Sequence, residues 1–197
     1  MSFNENEDDD ATGITSTSEA EQEAWRLTSE DADTIAAERR EEGYDVTTAT
    51  AVHTNPVNRE QGDDPDRFGF EYIVPGNHAD DVEAAFERAD GEFPEFVVYR
   101  REVTQSAFMA VELLDPETMT AIVVASHYDR RRAGGLVKAA TETGEIHSHL
   151  VTLDGTQLGS VRHEEFDPFF PSRVTKWLCI SPVSVAAFTR PPARRRS

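Results

Sequence analysis

The stretch that decides the fold of this chain is MTAIVVASHY at residues 119–128. Its centre, residues 121–125, is apolar at every position, which is typical of a strand that is buried on both faces. The next residues, 130–143, carry apolar side chains at helical spacing. Because a strand buried on both faces needs neighbours around it, this stretch predicts a sheet with helices packed against it.

Two segments with alternating polarity, residues 145–153 and 156–163, come after that helix. Between them, Asp154-Gly155 is a strong signal for a β-hairpin with a two-residue loop. The helix at 130–143 connects two strands, so the strands at 119–128 and 145–153 are expected to run parallel in one sheet.

The rest of the chain supplies the outer elements. A capping box formed by Ser18 and Glu21 starts a helix that runs to about residue 42. The other predicted elements are strands at 44–53 and 67–74, a helix at 77–89, and strands at 95–103 and 107–114. The predicted order is α-β-β-α-β-β-β-α-β-β, an α+β fold in which three helices pack on a mixed, mostly antiparallel sheet of about seven strands.

The charge of the chain changes abruptly near its C-terminus. All 38 acidic residues lie in residues 1–171, whereas residues 172–197 contain six basic residues and no acidic one. Residues 1–17 are acidic and polar, so we expect them to be disordered. Residues 18–171 are predicted to form the single α+β domain. Residues 172–197 are interpreted as a basic appendage that is unfolded or not native to the protein.

The composition indicates a protein from the cytoplasm of a halophile; an acidic mesophilic protein is the alternative. The net charge is −19, and only two lysines stand against seventeen arginines. At molar salt the Debye length of about 3 Å screens the repulsion between carboxylates. The negative charge argues against nucleic-acid binding. The single cysteine, Cys179, allows no internal disulfide, and no apolar segment reaches the ~20 residues that span a bilayer, so no membrane association is expected.

Several short stretches resemble a group of uncharacterised haloarchaeal proteins over residues 25–171. They are Gly43-Tyr44-Asp45-Val46, Glu92-Phe93-Pro94, Leu153-Asp154-Gly155-Thr156-Gln157-Leu158-Gly159-Ser160, and His163 with Phe169-Phe170-Pro171. That group has no assigned activity, so the resemblance implies a source and no function. The order of the middle elements also resembles that of the roadblock and longin scaffold domains, which is a likeness of element order alone.

The first candidate site is the segment 126–132, where the central strand gives way to a helix. His127 lies near the end of the strand, and Arg130, Arg131 and Arg132 are expected in the first turn of the helix. The free N–H groups of a helix N-terminus attract anions. These four residues are therefore expected to bind a small anion or an acidic partner. The alternative is that the arginines pair with acidic side chains at the surface.

The second candidate site lies on the predicted hairpin. His147 and His149 alternate along a strand and share one face, and the two-residue loop places His147 opposite Arg162 and His149 opposite Ser160. His163 falls on the other face, so this register excludes a three-histidine metal site. His147, His149 and Arg162 are predicted to form a secondary polar patch, and no metal or cofactor is expected.

Two classes of function remain open. The leading prediction is a non-enzymatic module that binds a small anion or a protein partner, with a homodimer through a sheet edge or a helix as a further expectation. The alternative is a small enzyme in which His127 acts as acid or base and Arg130–Arg132 hold an anionic substrate. The sequence has no Gly-x-Ser-x-Gly elbow and no phosphate-binding loop, so no residue is assigned as catalytic.

Overall fold

A computed structural model of the chain describes residues 18–61 and 67–170. The predicted N-terminal segment, 1–17, and the basic appendage, 172–197, lie outside the described residues. The helices are α1 (Glu19–Glu41), α2 (Gly76–Arg88) and α3 (Gly134–Thr143). The strands are β1 (Asp45–Thr50), β2 (His53–Val57), β3 (Gly69–Ile73), β4 (Glu95–Val103), β5 (Ser106–Asp115), β6 (Thr120–Asp129), β7 (Ile146–Val151) and β8 (Gln157–His163).

The predicted α+β class with three helices is confirmed, and the strands are divided between two four-stranded sheets. The first sheet has the order β1-β6-β5-β4 and the second has the order β2-β3-β7-β8. One pair in each sheet is parallel, β1 with β6 and β3 with β7, and the other pairs are antiparallel. The expected parallel pairing of β6 with β7 is wrong, because β1 and β5 already occupy both edges of β6.

The eighth strand, β2, lies mostly between the predicted strands at 44–53 and 67–74. Pro56 has no N–H to donate to a sheet, and it is tolerated in β2 because this strand lies at a sheet edge. The chain changes sheets just before β2. The N–H of Ala51 donates to Ala125 in the first sheet, and the N–H of Val52 donates to Ile73 in the second.

Two apolar cores hold these layers together. The larger core lies between the sheets and includes Phe70, Tyr72, Met109, Val124 and Leu150, with Phe86 from α2 and Leu136 from α3. The smaller core lies under α1, where Ala32, Ile35 and Ala36 pack on Ala110, Ala121, Val123 and Ala125. A strand with buried side chains on both faces is what the apolar run in β6 predicts, and the two cores cover those two faces.

The hairpin of β7 and β8 has the predicted register at its histidines, but its loop differs from the predicted one. Three residues, Leu153 to Gly155, separate Thr152 from Thr156, whose backbones hydrogen-bond at 2.8 Å. The expected two-residue loop is therefore wrong. A bulge between Leu150 and Val151 offsets the additional loop residue, so His149 still lies opposite Ser160 and the predicted pairing of the histidines is confirmed.

Candidate functional site

His127 lies near the end of β6, on the face that α1 covers. The Trp25 ring of α1 meets it edge-on with centroids 5.4 Å apart, and the Phe108 ring of β5 stacks on it at 5.6 Å. His127 is nevertheless exposed, whereas Phe108 is buried. Partial burial among these rings, together with the nearby His53, lowers the pKa of the His127 imidazole. The imidazole is therefore neutral at pH 7 and open to a ligand.

An open cleft of about 640 Å³ lies beside this imidazole, and we name it the His127 cleft. It is formed by the start of α1, the turn between β4 and β5, and the end of β6. Its lining includes Glu21, Trp25, Phe108, His127, Asp129 and Arg131. The cleft therefore combines aromatic walls with a few ionised groups, which is the usual composition of a ligand site.

The Glu21 carboxylate is held in one position at the wall of the cleft. The hydroxyl groups of Thr104 and Ser106 donate to one oxygen at 2.8 and 2.9 Å, and Ser18 donates to the other oxygen through its backbone and side chain. The Thr104 hydroxyl, followed by the Ser18 backbone, lowers the pKa of Glu21 to about 2. The capping-box residue is thus a fixed negative charge, which its sequence position alone did not indicate.

The three arginines are not in a helical first turn. Asp129 accepts a hydrogen bond from the backbone of Arg131 and closes a 3-10 turn over Arg130–Arg132, and α3 begins only at Gly134. The expectation that they occupy the first turn of the helix is wrong, because the hydrogen bond to the Asp129 side chain holds Arg130–Arg132 in a separate 3-10 turn.

The arginines also point to different partners. Arg131 binds both oxygens of Asp129, with the shortest contact at 2.6 Å. Arg130 lies 3.3 Å from Glu102 and donates to the backbone of Thr104. Arg132 is exposed, and of the three only Arg131 lines the His127 cleft. With Glu21 and Asp129 ionised against Arg131, this lining has an excess of negative charge.

Comparison with known protein families identifies the family of this chain. The family model described as a family of unknown function, DUF7529, matches residues 11–171. The chain belongs to DUF7529. No curated protein matches the sequence. No solved structure matches it either. Membership of DUF7529 therefore agrees with the predicted uncharacterised family and assigns no activity.

The structure of this DUF7529 member brings together two residues of the second candidate site, His147 and His149, but not the third, Arg162. The His149 ring stacks on His147 at 5.6 Å, and its Nδ1 lies 2.9 Å from the Ser160 hydroxyl. Arg162 turns away to form ion pairs with Glu145 and Glu164. His149 is 4% exposed, so the patch presents little of this side chain to a ligand.

His163 lies on the opposite face of the hairpin, as the register predicts. Its Nε2 lies 2.9 Å from the Ser148 hydroxyl inside the core, beside Phe96 and Phe169. Burial is the main cause that lowers the pKa of His163 to about 3 and that of His149 to about 4. Both imidazoles are neutral structural groups of the DUF7529 fold.

Two further observations concern the residues that the structure describes. They contain no group of three or more histidine, cysteine or carboxylate side chains placed to hold a metal ion. None of the described helices is both long enough and apolar enough to cross a bilayer. The His127 cleft is one of several open clefts in this part of the DUF7529 chain, and it is lined by His127 and Arg131 of the first candidate site.

Proposed function

We propose that this protein is a non-catalytic binding module whose His127 cleft takes a planar, positively charged group, such as the guanidinium of an arginine side chain. The observation that carries this proposal is the fixed carboxylate of Glu21 beside the rings of Trp25 and His127. A cation gains from a carboxylate and from the face of an indole in the same site.

A small anion fits this cleft less well. The charge on Arg131 is already neutralised by Asp129, and His127 is uncharged at neutral pH because its pKa is lowered. Glu21 stays ionised, with a pKa of about 2, so an anion would meet a carboxylate without a free cation beside it. Arg131 itself illustrates the preferred chemistry, because its guanidinium already binds a carboxylate of this cleft.

A binding role is favoured over catalysis by the hydrogen bonds around the cleft. A general base or a nucleophile is normally oriented by a third group. Among the described residues no hydrogen bond reaches the ring nitrogens of His127, while the hydroxyls of Thr104 and Ser106 both donate to Glu21. These hydroxyls therefore serve to fix a charge, which is a recognition role.

We further propose that the module works in the cytoplasm of a halophile, on the strength of its acidic, lysine-poor composition. In concentrated potassium chloride, long-range attraction to an acidic surface is screened within a few ångströms, about 3 Å at molar salt. A partner would then be selected by contact in the cleft. The indole of Trp25 and the charge of Glu21, whose oxygens already accept hydrogen bonds from Ser18, Thr104 and Ser106, are suited to this task because they act at short range.

The test is a calorimetric titration of the full chain with arginine amide in molar potassium chloride. Glu21→Gln and Trp25→Ala are each expected to weaken binding about fivefold or more, since a single carboxylate contact or cation–π contact contributes roughly 1 kcal/mol. Glu23→Gln is the matched control, because Glu23 lies on the same helix and pairs with Arg26 outside the cleft.

Two results would contradict this proposal. One is equal binding of arginine amide by the parent chain and by both cleft variants. The other is preferential binding of inorganic phosphate, which would restore the predicted anion site at His127, Arg130, Arg131 and Arg132. A guanidinium presented on a peptide, compared with free arginine amide, then separates a protein partner from a small-molecule ligand.

The alternative function, an enzyme with His127 as acid or base, is favoured by one observation. The lowered pKa leaves the exposed imidazole neutral and able to accept a proton at pH 7. His127→Ala separates the two functions. An enzyme would lose turnover of its substrate while retaining most of its affinity, whereas a binding module has no turnover to lose.

A further inference from the structure

The two sheets have four edge strands among the described residues, and these edges differ in the features that discourage further pairing. β2 contains Pro56, α2 packs against β1, and β8 contains a bulge and also lies against α2. Natural sheets protect their edges by such features. β4 also contacts a helix, α1, but its nine residues pair with β5 without a shift in register and include no proline.

The backbone of β4 is oriented for pairing on its free side. A two-residue turn, Thr104-Gln105, joins β4 to β5 and leaves Val103 opposite Ser106. The pair that closes such a turn is hydrogen-bonded, and hydrogen-bonded pairs alternate along an antiparallel ladder. The odd-numbered residues therefore bond to β5. The even-numbered ones, Phe96, Val98, Arg100 and Glu102, direct their N–H and C=O groups to the free edge.

The side chains beside this edge are apolar and incompletely covered. Tyr99 is 38% exposed, and Val97 and Val98 are half-buried. β4 contacts α1, where Arg101 forms an ion pair with Asp31, and it contacts the 3-10 turn Asp167–Phe169, but no described backbone group hydrogen-bonds to its free edge. An edge of this length with exposed apolar groups is a template for another strand.

We propose that β4 pairs with β4 of a second copy of this chain, antiparallel, with a two-fold axis at Val98. This register places Glu95 of each copy opposite Arg101 of the other, and Phe96 opposite Arg100. Arg101 is partly exposed and also pairs with Asp31 of its own copy, so Glu95 would join an existing ion pair. It also places Val97 against Tyr99. Opposite charges that face each other across two strands stabilise the pair.

The neighbouring registers lack this complementarity. An axis at Tyr99 sets Arg101 against Val97 and forms no ion pair. An axis at Arg100 brings the two copies of that arginine face to face, which is destabilising. The sequence of β4 therefore selects one self-pairing register out of the three.

The dimer is expected to depend on salt. Each copy has a net charge of −19, so two copies repel each other strongly in dilute buffer. Molar potassium chloride reduces the Debye length to about 3 Å and removes most of this repulsion, while the backbone hydrogen bonds and apolar contacts of β4 persist.

The test is sedimentation velocity on the full chain in molar potassium chloride, over a range of protein concentrations. The parent chain is expected to dimerise. Val98→Pro is expected to be monomeric, because the N–H of Val98 faces the free edge and its loss leaves the bonds to β5 intact. A parent chain that is monomeric at every concentration, or a dimer that persists in a folded Val98→Pro, overturns the proposal.

Charge variants test the register and remain informative should Val98→Pro fail to fold. Glu95→Arg places two pairs of like charges in the interface and is expected to raise the dimer dissociation constant about fivefold to thirtyfold. Adding Arg101→Glu, in a chain where Asp31→Asn removes the carboxylate that Arg101 pairs with in its own copy, restores opposite charges and is expected to restore the dimer. Glu83→Arg makes the same charge change on exposed α2 and is expected to have no effect. A dimer unaffected by Glu95→Arg, or not restored by the combined variant, overturns the register.

Discussion

Acid is expected to destabilise this protein well before its carboxylates titrate, and two buried histidines are the reason. His149 and His163 are 4% and 1% exposed, and burial lowers their pKa values to about 4 and about 3. An unfolded chain protonates both near the ordinary pKa of 6.5, whereas the folded chain keeps both neutral. Their stabilising contribution is therefore complete above pH 6.5 and is lost as the pH falls toward the folded values.

The size of the effect follows from the two pKa values. Each pKa unit corresponds to about 1.36 kcal/mol, and about pH 5 lies roughly 1.5 units below the unfolded pKa. Each histidine then costs about 2 kcal/mol of the free energy of unfolding, and the two together cost about 4 kcal/mol. Domains of this kind have only about 5–15 kcal/mol in total, so the loss is easily measured.

Urea denaturation at about pH 7.5 and about pH 5, in the same molar potassium chloride, measures this loss. His149→Asn and His163→Gln keep a nitrogen near the atom that contacts Ser160 or Ser148, and neither replacement titrates. Each variant is expected to remove a large part of the pH dependence, and the double variant most of it; His127, whose pKa is also lowered, contributes to the remainder. A parent chain with equal stability at both pH values, or a double variant with an unchanged pH dependence, would refute the assignment.

Three other predictions can be checked by the same denaturation assay. Arg39→Ala removes the guanidinium that binds the fully buried Glu112 through two hydrogen bonds, and we expect it to lower the free energy of unfolding by about 3–5 kcal/mol. Arg26→Ala breaks exposed ion pairs on the same helix, and we expect it to lower the free energy of unfolding by about 1 kcal/mol or less. Gly159→Ala would place a methyl group against the Phe86 ring, and we expect it to lower the free energy of unfolding by about 1–3 kcal/mol. The added methyl group of Gly134→Ala meets no atom within 4 Å, and we expect this variant to leave the free energy of unfolding nearly unchanged. Transfer to dilute buffer is expected to unfold the chain reversibly, and stability that is independent of salt would contradict the halophilic interpretation.

The sequence was most informative where a local rule acts without competition. The capping box of α1 is present, with Ser18 and Glu21 hydrogen-bonded to each other, because both partners lie within one turn. The apolar run of β6 correctly predicted a strand that is buried on both faces, and the two cores cover those faces. The face on which each hairpin histidine lies was also predictable, because side chains alternate along a strand, whereas the predicted register holds only because a bulge offsets the additional loop residue.

The candidate site could be predicted only in part. His127 was identified from its position near the end of a buried strand, and the structure places it in a cleft. Glu21 was predicted only as part of a capping box, and Trp25 was not assigned to a site. Their partners in the cleft are more than eighty positions away in sequence, as with Glu21 and Ser106, and no local pattern connects them.

The sequence by itself determined the class of fold, the type and order of most elements, and the face on which each apolar stripe lies, because these depend on periodicities of two and 3.6 residues. Tertiary structure alone decided the division of the strands into two sheets and the partners of each arginine. Those outcomes depend on which edges are already occupied and which acid lies within reach. Both are properties of the assembled chain, since contacts such as Arg39 with Glu112 join residues far apart in sequence.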